Sequence, residues 1–142
     1  MVDNSAYTGQ KSLNPFNFEH LNMTDFALLV NGTPYPIQAL QMNFKEDQYA
    51  KAYQTLFSGT GIHYDDRGHE ITYEDFKNGN FILAYDLNPD SHAQGCLSLL
   101  DQGSIRIEAR FSQSINKTIT CIVYAEYDAK LEIDKNRNIL LS

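Results

Sequence analysis

The residues best able to do chemistry lie in the stretch Gly61-Ile-His-Tyr-Asp-Asp-Arg-Gly-His-Glu70. His63 and His69 stand there with Asp65, Asp66 and Glu70, donor types that hold divalent metals. Their setting does not favour that use. A zinc or iron site needs ligands fixed close together on rigid elements, and this stretch falls in a loop between two predicted helices. Neither His-x-His nor His-Glu-x-x-His occurs. The stretch therefore reads as a solvated polar loop, with a metal centre as the sharper alternative. His20 and His92 are isolated and read as structural or exposed. Glu126, Asp128, Glu132 and Asp134 form a second acidic group. Paired carboxylates can cleave glycosides or bind calcium, but here they read as the outer face of strands and turns. Nucleophilic catalysis needs a Ser or Cys beside a positioned base, and no Gly-x-Ser-x-Gly elbow is present. Ser58-Gly-Thr-Gly61 lacks the Gly-Lys-Ser/Thr ending of a phosphate loop and follows a helix, so it reads as a helix stop and turn. The sequence assigns no catalytic residue, no metal ligand and no cofactor, and the protein is not read as an enzyme.

The elements around these residues are strands. Ile105, Ile107, Ala109 and Phe111 alternate with Arg106, Glu108 and Arg110, the period of two of a half-buried strand. The next strand, Ile119 to Asp128, puts Ile119, Cys121, Val123, Ala125 and Tyr127 on one face. Its other face carries Thr120, Ile122, Tyr124 and Glu126. Two largely apolar faces call for cover on both sides, by a second sheet and by a helix, a loop or another subunit. Leu131-Glu-Ile-Asp134 and Ile139-Leu-Leu141 flank a turn at Lys135-Asn-Arg-Asn138.

Earlier in the chain, residues 1–14 are polar and read as a flexible arm or linker. Residues 15–142 form the single domain. Phe16 to Leu21 alternates like a strand. Asn31-Gly32 joins Phe26–Val30 to Thr33–Ile37 as a hairpin, since both residues tolerate the positive φ of a type I′ turn. Pro34 and Pro36 cannot donate to a ladder, so that arm lies at an edge or pairs on one side only. Residues 45–57 switch to helical spacing, with Tyr49, Ala52, Tyr53, Leu56 and Phe57 on one face. Glu46 and Asp47 are placed in the first turn, where the helix dipole favours them. Thr72 and Asp75 form a capping box for a second short helix. Phe81 to Leu87 reads as a strand and residues 88–95 as a loop. The fold class is mainly β: an antiparallel jelly-roll β-sandwich of about eight strands with one or two short inserted helices.

Composition narrows the function classes. The chain has 142 residues, with 42% hydrophobic and 20% charged, enough for one folded core. Net charge is −7, and the basic residues do not cluster, so a phosphate-tracking surface is not expected. Cys121 reads as a small core residue and Cys96 as a loop residue, and nothing requires a disulfide. No stretch approaches the ~20 apolar residues of a membrane span. The first residues carry neither a basic start nor an apolar run, so no signal peptide is expected. The sequons at Asn22, Asn31 and Asn116 read as chance.

Several segments also carry a resemblance. Asn14-Pro-Phe-Asn-Phe-Glu-His20, Leu56-Phe-Ser-Gly-Thr-Gly-Ile-His63, Phe81-Ile-Leu-Ala-Tyr-Asp-Leu-Asn-Pro-Asp90, Val123-Tyr-Ala-Glu-Tyr-Asp128 and Leu131-Glu-Ile-Asp134 occur in that order in a family from animal genomes. The chain resembles the hexon-like major capsid proteins of Polinton/Maverick elements and adintoviruses over roughly residues 4–141. None of these segments is a chemical signature; their order carries the likeness. The resemblance implies two jelly rolls in one polypeptide forming a trimeric, pseudo-hexagonal capsomer. This chain has room for one, and it looks like the C-terminal half. The implied role is that of a structural capsid protein, made inside the cell, acting by self-assembly and ending in the virion. Its implied partners are itself or a second jelly-roll domain, and other capsid proteins. Candidate assembly or domain-contact residues are Tyr49, Tyr53 and Phe57 on the inserted helix and Tyr124 on its strand. For the first three, cover of the sheet by that helix within the chain is the favoured use, and contact with a neighbour the other. A lectin-like or peptide-binding jelly roll, using loops around Tyr64, Asp65 and Tyr73, is the competing function.

Overall fold

The computed structural model describes residues 1–87, 103–126 and 131–141. Within them the chain is mainly β, antiparallel, with a few short helices. The order is β1 (Val2–Asp3), α1 (Asn4–Tyr7), β2 (Met23–Val30), β3 (Thr33–Gln41), α2 (Ala50–Ser58), α3 (Tyr73–Lys77), β4 (Ile105–Phe111), β5 (Ile119–Thr120), β6 (Leu131–Ile133) and β7 (Ile139–Leu141). A single 3-10 turn, Ile62–Tyr64, lies between α2 and α3.

The main sheet runs β3-β2-β4. Asn31 and Gly32 take φ of 52° and 82°, the positive pair that lets β2 and β3 close as a tight hairpin. Val30 faces Thr33, but the register slips between Phe26 and Leu28, so residues 36–39 bulge away from the ladder. β3 is an edge strand, as Pro34 and Pro36 require. β2 is central, and its Met23, Phe26, Leu28 and Leu29 are buried.

Above this sheet, α2 and α3 close an aromatic core. Thr72 and Asp75 form the full capping box at the start of α3: the Thr72 hydroxyl accepts from the Asp75 N–H, and the Asp75 carboxylate accepts from the Thr72 N–H. The first strand pairs with a late one: β1 lies antiparallel to β5, Val2 opposite Thr120. The β6–β7 hairpin contacts no other described strand or helix.

Several expectations need correction. Residues 1–14 are not a free arm throughout, because Val2 and Ala6 are buried and Glu19 N–H donates to the Met1 carbonyl. Phe16 to Leu21 is no strand. Asn14 turns the chain by accepting from the N–H groups of Phe16 and Asn17, and only Phe18 forms a bridge, to Asn80. Glu46 and Asp47 precede the helix, in a loop closed by the Asn43–Gln48 bridge. Phe81 to Leu87 joins no ladder among the described residues. Among the described residues the strand from Ile119 pairs only at Ile119 and Thr120, and Cys121 beyond it is exposed rather than in the core. Cys96, residues 97–100, His92, Tyr127 and Asp128 lie outside the described residues.

Candidate functional site

The residues singled out from sequence fall into two groups with opposite surroundings. Tyr49, Tyr53 and Phe57 belong to the first. Their helical spacing turns one face of α2 onto α3 and the sheet. Tyr49 is 2% exposed and lies within 4.1 Å of the Tyr73 ring, nearly parallel to it. It also stacks on Phe44 at 5.0 Å and on Phe76 at 6.0 Å. Its hydroxyl donates to the Tyr73 carbonyl at 3.2 Å. Burial, with the nearby Tyr73 and Asp47, pushes the Tyr49 phenol up to about 12. Tyr53 meets Phe57, Tyr73 and Phe76 edge-on, and its hydroxyl donates to the Ile71 carbonyl at 2.7 Å. Edge-on and offset contacts of this kind fit the quadrupoles of the rings. The hydroxyls of Tyr49 and Tyr53 bond inward, so these side chains hold α2 and α3 together within one chain.

Gly59 lets the helix end come close to the next layer. A Cβ there would collide with the carbonyl of Ala84, so the extended segment after Phe81 crosses directly against the end of α2. Phe81 is buried, and Tyr85 packs on Phe26 with ring centroids 5.9 Å apart. That segment is fixed by side chains, and Thr55 Oγ1 accepts from the Ala84 N–H at 3.4 Å.

Tyr124 belongs to the second group and is 82% exposed. Its hydroxyl donates to Glu126 at 2.9 Å, an interaction that raises the phenol's pKa. Ile122 and Val123 beside it are also exposed, at 50% and 64%. So are Ile105 and Ile107 on β4, and Ile133 and Ile139 on the hairpin. Three separate strand segments thus place apolar side chains in water.

The polar candidates do not converge. The His63 Nδ1 lies 2.8 Å from the Phe57 carbonyl, and Arg67 binds Asp65 at 3.0 Å. His69 packs against Phe57 and Tyr53, and its Nδ1 accepts from the Ile71 N–H at 3.1 Å. Among the described residues, no three His, Cys, Asp or Glu side chains gather as a metal site would require. Asp134 accepts from the N–H groups of Asn136 and Asn138, which lowers its pKa, and so caps the hairpin turn. Glu126 takes the Tyr124 hydroxyl. A groove between Asn17, His20, Lys77 and Lys117 holds two cations, but each is already paired: Lys117 with Glu19 and Asp3, Lys77 with Asp47. Tyr64 is exposed, whereas Tyr73, its companion in the lectin-like reading, is packed against Tyr49.

His20, read from sequence as structural or exposed, is structural. It stacks on Phe44 at 3.7 Å, and its Nδ1 accepts the Asn22 N–H at 3.0 Å. Burial lowers its pKa, with Lys77 adding to the effect and Glu19 opposing it. The positive φ of Leu21 and Asn22 marks the turn it organises, and nothing in the local residue types announces that turn.

No helix among the described residues is long and apolar enough to cross a membrane. No protein-family profile matches the chain, and no solved structure does. The chain is similar to an uncharacterized protein of Caenorhabditis elegans, 25% identical over 141 residues. The similarity takes in 97% of this chain but only 34% of that protein's length.

Proposed function

We propose that this chain is a structural unit of a capsid encoded by a virus or a virus-like transposable element, acting by self-assembly rather than catalysis. The observation that carries the reading is the uncovered apolar segment Ile122–Tyr124. Such surfaces mark interaction sites when they are contiguous, and the alternation of their strand is that of a segment meant to be covered on both faces. The similarity to about a third of a longer protein fits one unit of a larger polypeptide. The ordered segments shared with Polinton/Maverick and adintovirus capsid proteins point the same way.

The fold proposed for residues 15–142 is a single jelly roll. The non-local pairings of β1 with β5 and of β2 with β4 suit Greek-key connections. The partners are further copies or a second jelly-roll domain, in a trimeric capsomer, together with other capsid proteins. Nucleic acid is not contacted directly, in keeping with a net charge of −7. Tyr124 is the contact residue, while Tyr49, Tyr53 and Phe57 hold the helices of the same chain together. The site of action is the virion, after intracellular synthesis.

The test is electron microscopy and light scattering of the concentrated protein in reducing buffer, with and without EDTA. Trimeric capsomers or closed particles insensitive to EDTA are expected. A dispersed monomer at every concentration would contradict the proposal. Assembly lost on chelation would instead return attention to His63 and His69.

A further inference from the structure

Among the described residues, strand β4 is an open edge. In the order β3-β2-β4 it pairs with β2 alone among the described residues. The Asn31 N–H donates to the Ser104 carbonyl at 2.9 Å, in line with the register that sets Val30 opposite Ile105. In an antiparallel pair the hydrogen-bonded positions recur at every second residue. The backbone groups of Arg106 and Glu108 therefore face β2, and those of Ile105, Ile107 and Ala109 face the open edge. No proline and no bulge in β4 interrupts Ile105–Ala109, although natural edges are commonly blunted by such devices.

The charges on this edge are self-complementary. Arg106, Glu108 and Arg110 alternate in sign on one face of the strand. We propose that β4 pairs antiparallel with β4 of a second copy of this chain, in the register centred on Ile107. Ile107 then exchanges its N–H and C=O with the partner's Ile107. Arg106 lies opposite the partner's Glu108, and two-fold symmetry repeats that pair. Ile105 lies opposite the partner's Ala109, so the apolar stripe continues across the joined sheets. Arg106 already reaches Glu108 within its own strand at 2.6 Å, which shows that both side chains extend along the face where the cross-strand pairs form. A shift to centre on Glu108 sets like charges opposite each other, which destabilises a sheet. Centring on Ala109 keeps a Glu108–Arg110 pair but puts Ile105 opposite Gln113, beyond the strand's end at Phe111. The pairing needs only this edge and does not rest on the capsid reading.

Sedimentation velocity across a concentration series tests it, with Arg106→Glu and Glu108→Arg variants. Both side chains are exposed, and thermal melts check that both variants keep the fold. The wild-type chain is expected to dimerise with rising concentration. Each variant alone is expected to raise the dissociation constant about tenfold or more, by setting like charges in register. An equal mixture of the two is expected to recover wild-type affinity, since one acidic edge then meets one basic edge. Ile107→Pro removes an outward-facing N–H and is expected to abolish the dimer. A monomeric wild type, variants that dimerise unchanged, or a mixture without recovery would each overturn the proposal. A dimer that forms without larger particles leaves it standing and counts against the capsid reading alone.

Discussion

Two regions of this chain treat the same residue types in opposite ways. Between Phe18 and Tyr85, rings pack on rings: Tyr49, Tyr53, Tyr73, Phe76 and Phe81 form one continuous cluster, and Phe76 is 0% exposed. Between Ile105 and Ile139, branched and aromatic side chains face water on β4, after β5 and on the terminal hairpin. The contrast is one of neighbours rather than of composition. The first region has two helices to lay across its sheet. In the second, Ala109 and Phe111 still pack on that core, but Ile105, Ile107, Ile122 and Val123 are left exposed. The first region therefore holds the stability of the fold, and the second holds its capacity to join something else.

The largest effect should separate the two at once. Phe76→Ala removes a fully buried ring and is expected to cost about 3–5 kcal/mol, read as a shift in the denaturation midpoint. Alkaline titration should act on the same cluster. Burial raises the phenols of Tyr49, to about 12, and Tyr85, whereas an unfolded tyrosine ionises near ~10. Above that value the unfolded chain holds fewer protons than the folded one, so stability falls as pH rises from about 10 towards 12. Tyr49→Phe should flatten part of that fall while keeping the ring contacts.

A smaller effect is expected on the acid side. The His20 Nδ1 accepts the Asn22 N–H, so the bonded ring is unprotonated at that atom, and burial lowers its pKa. Below the ordinary histidine value of about 6.5, the unfolded chain gains a proton that the folded ring resists. Stability therefore declines as pH falls through that range. His20→Asn keeps an acceptor for the turn without titrating there, and the decline should shrink in melts compared across pH. The smallest effect on stability is expected at Tyr124. Tyr124→Ala should change the unfolding free energy by no more than about 0.5 kcal/mol while weakening association of the chain. A large loss of stability at Tyr124 would erase the contrast between the two regions.

Local chemistry explains which parts of this structure could be read from residue types. Asn31-Gly32 specifies its own backbone angles, and Thr72 with Asp75 specifies its own hydrogen bonds, so the hairpin and the start of α3 were legible. The apolar face of α2 was legible because 3.6-residue periodicity leaves few alternatives. Phe81 to Leu87 was not: its residue pattern suits a strand, but the backbone lies extended against α2, with Phe81 and Tyr85 anchored by their rings. Asn14 and Asn43 defeated the reading in a similar way, by accepting backbone N–H groups and bending segments that alternation or helical spacing had claimed. Cys121 lies on the apolar face of its pattern yet is exposed, and among the described residues pairing stops after Thr120. Of the site candidates, spacing placed Tyr49, Tyr53 and Phe57 together on α2. It favoured contacts within the chain over contact with a neighbour, and the ring contacts of Tyr49 and Tyr53 lie there.

The most direct test of the division is amide hydrogen exchange followed by mass spectrometry at low and high protein concentration. Peptides spanning β2, α2 and α3 should be protected equally at both. Peptides spanning residues 121–126 should exchange rapidly when dilute and gain protection when concentrated. Protection of residues 121–126 as strong as that of β2 in the dilute monomer would contradict the account, because those strands would then be covered within the chain itself.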